Sequence, residues 1–127
     1  MPDLRIVTAL PQSLRPAYEA LLASAGLRDE GDADCTALLL SGGGALLACG
    51  SVSGRVLKQI AVAPWAEGDG ACARIITALL EESARRGVAH PFLYTKPKNA
   101  RLFRSLGFFP VAETADMLMM EHRRGGV

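Results

Sequence analysis

Long apolar runs, paired cysteines and a charge excess are all missing from this sequence, and each absence narrows what the chain does. None of the apolar stretches in its 127 residues approaches the roughly 20 residues of a bilayer-crossing helix, and "PDLRIV" after Met1 lacks the basic and apolar parts of a secretion signal. No membrane partner is expected, and the chain reads as cytoplasmic. The three cysteines, Cys35, Cys49 and Cys72, stand singly in apolar runs without C-x-x-C spacing. That pattern favours buried, reduced thiols over a metal site or a disulfide framework. Lysine plus arginine number 14 against 13 aspartate plus glutamate, which leaves no basic surplus for coating a nucleic acid. Repeats, low-complexity segments and internal linkers are absent too, so residues 1–127 read as one domain with room for one core and one site. The tail "RRGGV" reads as the start of a linker.

What is present has a clear order. Residues 4–10, "LRIVTAL", predict a strand, and 13–25 predict a helix capped by Ser13, with Pro16 tolerated only in its first turn and Gly26 just past its end. Three apolar runs follow between Cys35 and Pro64, separated by Gly/Ser clusters at 41–44 and 51–54, the pattern of neighbouring antiparallel strands. The third run, 56–62, stops before Pro64. An amphipathic helix over 70–86 places Ile75, Ile76, Leu79 and Leu80 on one side and ends at Gly87. "HPFLYTK" predicts a strand, "NARLFRSLG" a short helix ended by Gly107, and "FFPVAETADMLMMEH" two closing strands around 113–116. The order β-α-β-β-β-α-β-α-β-β is that of an α/β fold.

The informative stretch is "AVAPWAEGDGACARII", where a strand runs through a Gly-rich turn into a helix. The first amides of a helix have no internal partner and its dipole adds about half a positive charge there, so such a turn suits an anion. Gly68 and Gly70 let the backbone come close. The same turn carries Glu67 and Asp69, which weaken the local field. A carboxylate near a helix start gains about 0.3 to 1 kcal/mol from the dipole, so these two serve helix stability. Backbone amides alone remain available for a phosphate.

An E-G-D-G-A-C turn after the fourth strand, followed by a strand and by N-x-x-x-F-x-x-x-G-F (Asn99, Phe103, Gly107, Phe108), resembles the GNAT acyltransferase superfamily over nearly the whole chain. The resemblance implies the acyl-CoA N-acyltransferase fold, a mixed, mostly antiparallel central sheet flanked by helices. It also implies coenzyme A or acetyl-CoA as cofactor; no metal is expected, since neither the cysteines nor His90 and His122 have metal-ligand spacing. The superfamily's pyrophosphate loop, R/Q-x-x-G-x-G/A, falls by resemblance on Glu67, Gly68, Asp69, Gly70, Ala71 and Cys72, with Glu67 where an arginine or glutamine is usual. Backbone groups of Ile60, Ala61 and Val62 on a splayed strand would hold pantetheine, with Asn99 and Phe103 completing the cofactor-binding set. More narrowly, "YTKPKNARLFRSLGF" and "GRVLKQIAV" are similar to the N-terminal GNAT-like domain of citrate lyase ligases. In that family the domain precedes a nucleotidyltransferase domain that activates acetate with ATP. The product is an acetyl thioester on the dephospho-CoA-like prosthetic group of the citrate lyase acyl carrier subunit. The resemblance thus implies two partners, that carrier subunit and the chain's own C-terminal nucleotidyltransferase domain. ATP would act only through the latter, whose H-x-G-H motif does not occur in this sequence.

Departures from the superfamily keep three readings open. Phe103 stands where many GNAT enzymes place a tyrosine that protonates departing coenzyme A, and the fourth strand offers Lys58 and Gln59 but no carboxylate base. No catalytic residue is assigned. A thiol acceptor needs no strong base, since a few per cent is thiolate at neutral pH, which favours acetylation of a carrier-bound thiol. The alternatives are a free-standing acetyltransferase moving acetyl from acetyl-CoA to an amine, and a noncatalytic docking module. Lys96, Lys98, Arg101, Arg104 and Arg74 suit phosphates, an acidic carrier or a solvated face. Asn99 is expected to cap its helix and Cys72 to pack tightly, although a helix start can also lower a thiol pKa. His90, His122, Glu113 and Asp116 read as ordinary, and Met117, Met119 and Met120 as packing in the last strand.

Overall fold

The computed structural model describes residues 2–31, 33–68 and 70–123. Seven strands and three helices follow one another as β1 (Asp3–Val7), α1 (Arg15–Ser24), β2 (Cys35–Leu40), β3 (Leu46–Ser53), β4 (Val56–Val62), α2 (Ala71–Arg85), β5 (Phe92–Thr95), α3 (Ala100–Ser105), β6 (Phe108–Glu113) and β7 (Leu118–His122). The sheet order is β1-β2-β3-β4-β5-β7-β6, and among the described residues only the β4–β5 pair is parallel. The expected α/β architecture with a mixed, mostly antiparallel sheet is the one observed.

Three local expectations are corrected. The first strand stops at Val7, which pairs Thr36 near the start of β2, leaving residues 8–10 without a neighbouring strand. Ser13 does not cap α1; it lies in a 3-10 turn, Gln12–Leu14, and Leu14 precedes the helix without a side-chain cap bond. The Gly/Ser cluster at 51–54 is mostly strand, because Ser51 is buried opposite Thr36 and the two hydroxyls bond each other at 2.8 Å. The turn shifts to Gly54, whose φ of 58° is left-handed.

Helices cover the sheet unevenly. On one face α2 and α3 bury Ile75, Ile76, Leu79 and Phe103 against Ala37, Leu39, Ala48, Val52, Leu57, Leu93, Phe108 and Met120. On the other, α1 buries Tyr18, Leu21 and Leu22 against Leu38, Leu40, Cys49 and Ala61. Alternation along β2 delivers Ala37 and Leu39 to the first cluster and Leu38 and Leu40 to the second, as a strand covered on both faces requires. Gly50 on β3 is where α2 comes closest. A Cβ there would sit 2.6 Å from Ile75 Cγ2 and 2.9 Å from Leu79 Cδ1.

Candidate functional site

Parallel strands β4 and β5 touch only at their beginnings, Val56 opposite Phe92, and then part. Beyond that point no strand among the described residues pairs with β4 on its β5 side, so the edge of β4 turned away from β3 borders an opening. The result is a cleft of about 780 Å3, a volume suited to a cofactor-sized ligand.

A bulge shapes the β4 wall. Cys49 pairs Ala61 and Ser51 pairs Lys58, so Gly50 alone opposes two residues, Gln59 and Ile60. Leu57 therefore enters the α2-side cluster while Ala61, four residues on, enters the α1-side cluster; without the bulge both would face the same way. Gln59 carries the distortion with φ 56°, the only left-handed non-glycine among the described residues. Such a backbone costs on the order of 1 kcal/mol or more unless its surroundings hold it. Here they do. Tyr18 Oη donates to Gln59 Oε1 at 3.3 Å, Gln59 Nε2 donates to the Arg28 carbonyl, and Cys49 Sγ donates to the Gln59 carbonyl at 3.5 Å. Burial pushes the Cys49 thiol up to about 12 and also raises Tyr18, so both stay protonated donors. The loop after α1 is further tied to β4 by Lys58–Glu30 at 3.0 Å and to α1 by Arg15–Asp29 at 3.1 Å.

At the far end of β4 the chain turns through Pro64–Ala66 into the glycine turn. Gly68 and Gly70 have φ 87° and 78°, and neither would crowd a neighbour with a Cβ, so backbone conformation rather than space selects glycine. Gly70 precedes α2 with no side-chain cap, and its carbonyl accepts from the Arg74 amide at 3.1 Å. The amides of the first turn thus lack a helical partner. Glu67 is exposed and makes no ion pair among the described residues; Asp69 lies outside them.

The structure brings Ile60, Ala61, Val62, Glu67, Gly68, Gly70, Ala71, Cys72, Asn99 and Phe103 to one cleft. One expectation about them changes, that for Asn99, while Cys72 packs as expected. The Asn99 side chain does not cap α3; its Nδ2 donates to Thr95 Oγ1 at 3.2 Å, joining the end of β5 to the start of the helix. Burial raises the Cys72 thiol instead of the helix start lowering it, which leaves it a poor nucleophile in a packing role. Phe103 is buried, stacked edge-on to Phe108 at 5.9 Å.

Some cleft residues escaped sequence reasoning. Gln59 and the end of α1 with Leu27 line it, as do Tyr94, Leu102 and Met117, each exposed. Met117 thus lies before β7 at the cleft rather than packing within the last strand, while Met120 is fully buried. A signal for the bulge existed: adjacent polar residues Lys58 and Gln59 interrupt an otherwise apolar strand. His90 Nδ1 lies 3.2 Å from the His122 carbonyl, and the His122 ring packs on Phe108.

No family model matches the chain. Over 95 residues it is 39% identical to the [citrate (pro-3S)-lyase] ligase of Klebsiella pneumoniae, a stretch covering 73% of this chain and 28% of that protein. The chain accordingly spans less than a third of that relative's length. Among solved structures, an acyl-CoA N-acyltransferase from Pseudomonas aeruginosa shares the fold with TM-score 0.80 at 14% identity, covering 97% of this chain and 100% of that one. N-acetylglutamate synthase from Neisseria gonorrhoeae, complexed with coenzyme A and L-arginine, does so with TM-score 0.76 at 15% identity, over 96% of this chain and 33% of that one.

Proposed function

Starting from a chain that is a GNAT-like domain related to citrate lyase ligase, we propose that its cleft cradles a coenzyme-A-shaped thiol and presents it for acetylation. The thiol is the dephospho-CoA-like prosthetic group of the citrate lyase acyl carrier subunit. The observation that carries this reading is the joining of the unpaired edge of β4 to the glycine turn and free first-turn amides of α2 within one cleft. Backbone groups of Ile60, Ala61 and Val62 run beside a pantetheine arm, and the amides of Gly68 to Cys72 meet its pyrophosphate. Cys72 and Phe103 supply apolar walls, and Asn99, oriented by Thr95, supplies a polar contact.

Phe103 has no proton to give, which suits a thiol that arrives as acceptor rather than leaves as thiolate. In that direction the sulfur attacks the acetyl carbonyl carbon of acetyl-adenylate, the bond from that carbon to the phosphate oxygen breaks, AMP departs and the thiol proton passes to solvent. Acetyl-adenylate is made from acetate and ATP by a nucleotidyltransferase domain. This chain's part is to bind and orient the thiol.

A second reading, acetyl transfer from acetyl-CoA to an amine, is favoured by one observation. Tyr94 lines the same cleft and offers a hydroxyl that Phe103 lacks. Calorimetric titration with acetyl-CoA, coenzyme A and dephospho-CoA, on the native chain and on Gly70→Glu, separates the two. Tighter dephospho-CoA binding that the substitution abolishes is the expected result. Preference for acetyl-CoA with turnover of amines that Tyr94→Phe removes would replace the first reading with the second. No heat from folded protein would sink both and leave a docking module.

A further inference from the structure

Cations are distributed unequally over this molecule. Arg5, Arg15, Lys58, Arg85, Arg86 and Arg123 each meet a carboxylate within 4.0 Å. Lys96, Lys98, Arg101 and Arg104 meet none among the described residues, and all four are exposed. Their stretch of chain carries no carboxylate of its own, since no aspartate or glutamate occurs between Glu82 and Glu113; Arg28, Arg55 and Arg74 also lack ion pairs among the described residues, but they stand apart in the sequence. No carboxylate among the described residues lies within 4.0 Å of these four cations, which leaves them available to an anion outside the fold.

The same edge is apolar as well as cationic. Tyr94 is 57% exposed, Leu102 43% and Met117 39%, and these three line the cleft together with Lys96 and Lys98. Arg101 and Arg104 are absent from the cleft lining. Three residues apart on α3, they share an outer face, so a ligand held inside the cleft leaves them untouched. Aromatic, methionine and arginine side chains grouped around a cationic rim are the composition of a protein interface. Glu67 stands on the opposite, glycine-turn side and repels an acidic visitor, which directs such a visitor to the α3 side.

We propose that the rim of Tyr94, Lys96, Lys98, Arg101, Leu102 and Arg104 docks an acidic face of the carrier protein whose thiol arm the cleft receives. This rests on the carrier-thiol reading above and adds the surface that the protein portion of the carrier uses. Docking there sets the arm's root at the cleft mouth while its sulfur reaches the bulge in β4.

The test separates surface from cradle by using the Klebsiella pneumoniae citrate lyase acyl carrier subunit expressed without its prosthetic group. Its binding to the native chain should weaken as salt rises and fall by about tenfold or more in Arg101→Glu/Arg104→Glu. Dephospho-CoA affinity, measured on the same double variant, should stay within about twofold of native because neither arginine lines the cleft. Carrier binding that the double variant leaves unchanged would overturn the proposal, as would failure of the arm-free carrier to bind a chain that does bind dephospho-CoA. A single-stranded RNA oligomer binding more tightly than the carrier at equal ionic strength would also overturn it and mark the rim as a nucleic-acid surface. Charge-sensitive carrier binding without any dephospho-CoA binding would sink the cradle and keep the surface.

Discussion

The two walls of the cleft are built on opposite principles. The β4 wall alternates buried and half-buried residues and is held from behind: its bulge is locked by Tyr18, the Arg28 carbonyl and Cys49, and its edge beyond Val56 has no paired strand on the β5 side among the described residues. The β5–α3 wall is a four-residue strand followed by a six-residue helix, and it offers exposed side chains, among them cations that make no ion pair among the described residues. A wall made of backbone depends on shape and tolerates side-chain change; a wall made of side chains depends on charge and changes little in stability when it is altered. In the function proposed above, the first would hold what every ligand of its class has in common and the second would choose who brings it.

The largest way to break this contrast is to disturb the β4 wall from behind. Gly50→Val forces a side chain into the 2.6 Å and 2.9 Å gaps before Ile75 and Leu79, and chemical denaturation should record a loss of about 3 kcal/mol. A change below about 0.5 kcal/mol would mean that α2 slides away and that the bulge is not clamped.

High pH acts on the same wall. Cys49 is raised from 9.0 to about 12 in the folded chain, so between those values the unfolded thiol releases a proton that the folded one keeps. Its contribution is intact below about 9 and lost as pH rises toward 12. Stability should fall by up to about 1.4 kcal/mol per pH unit from this group in that window, a slope that Cys49→Ala removes. An unchanged slope in the alanine variant would assign the effect to Tyr18 or the other raised thiols.

Smaller still is Tyr18→Phe, which removes one donor from buried Gln59 and should cost about 1 kcal/mol. It should also weaken dephospho-CoA binding, since the bulge loses one of its ties; intact affinity would show that the remaining two suffice. Lys58→Ala sits at the bottom of the scale. The Lys58–Glu30 pair is largely open to solvent at its glutamate end, so the expected loss is about 0.5 kcal/mol and should shrink in high salt.

Much of the cleft lining was legible because it depends on local rules. Gly68 and Gly70 before an amphipathic run announce a turn that favours glycine, and their φ values of 87° and 78° agree. Asn99 was legible as a residue at a helix start, yet its side chain turned to Thr95, a partner brought near by the backward step from β5 into α3. Ser13 failed in the same manner, since any Ser before a helical run reads as a cap and a 3-10 turn intervened. Gln59 was legible only as a polar interruption. Whether such an interruption flips a strand or simply faces water depends on what lies behind it.

By itself the sequence determined the order of elements, the two-face burial of β2, the glycine turn and the cation-rich, acid-free run from Ser83 to Ala112, because each follows from periodicity, backbone freedom or composition within a few neighbouring residues. The parting of β4 from β5, the bulge opposite Gly50, and the gathering of Tyr94, Leu102 and Met117 at one cleft were decided only in three dimensions. Each of these needs contacts between residues far apart in the chain, where packing against α1 and α2 outweighs local preference.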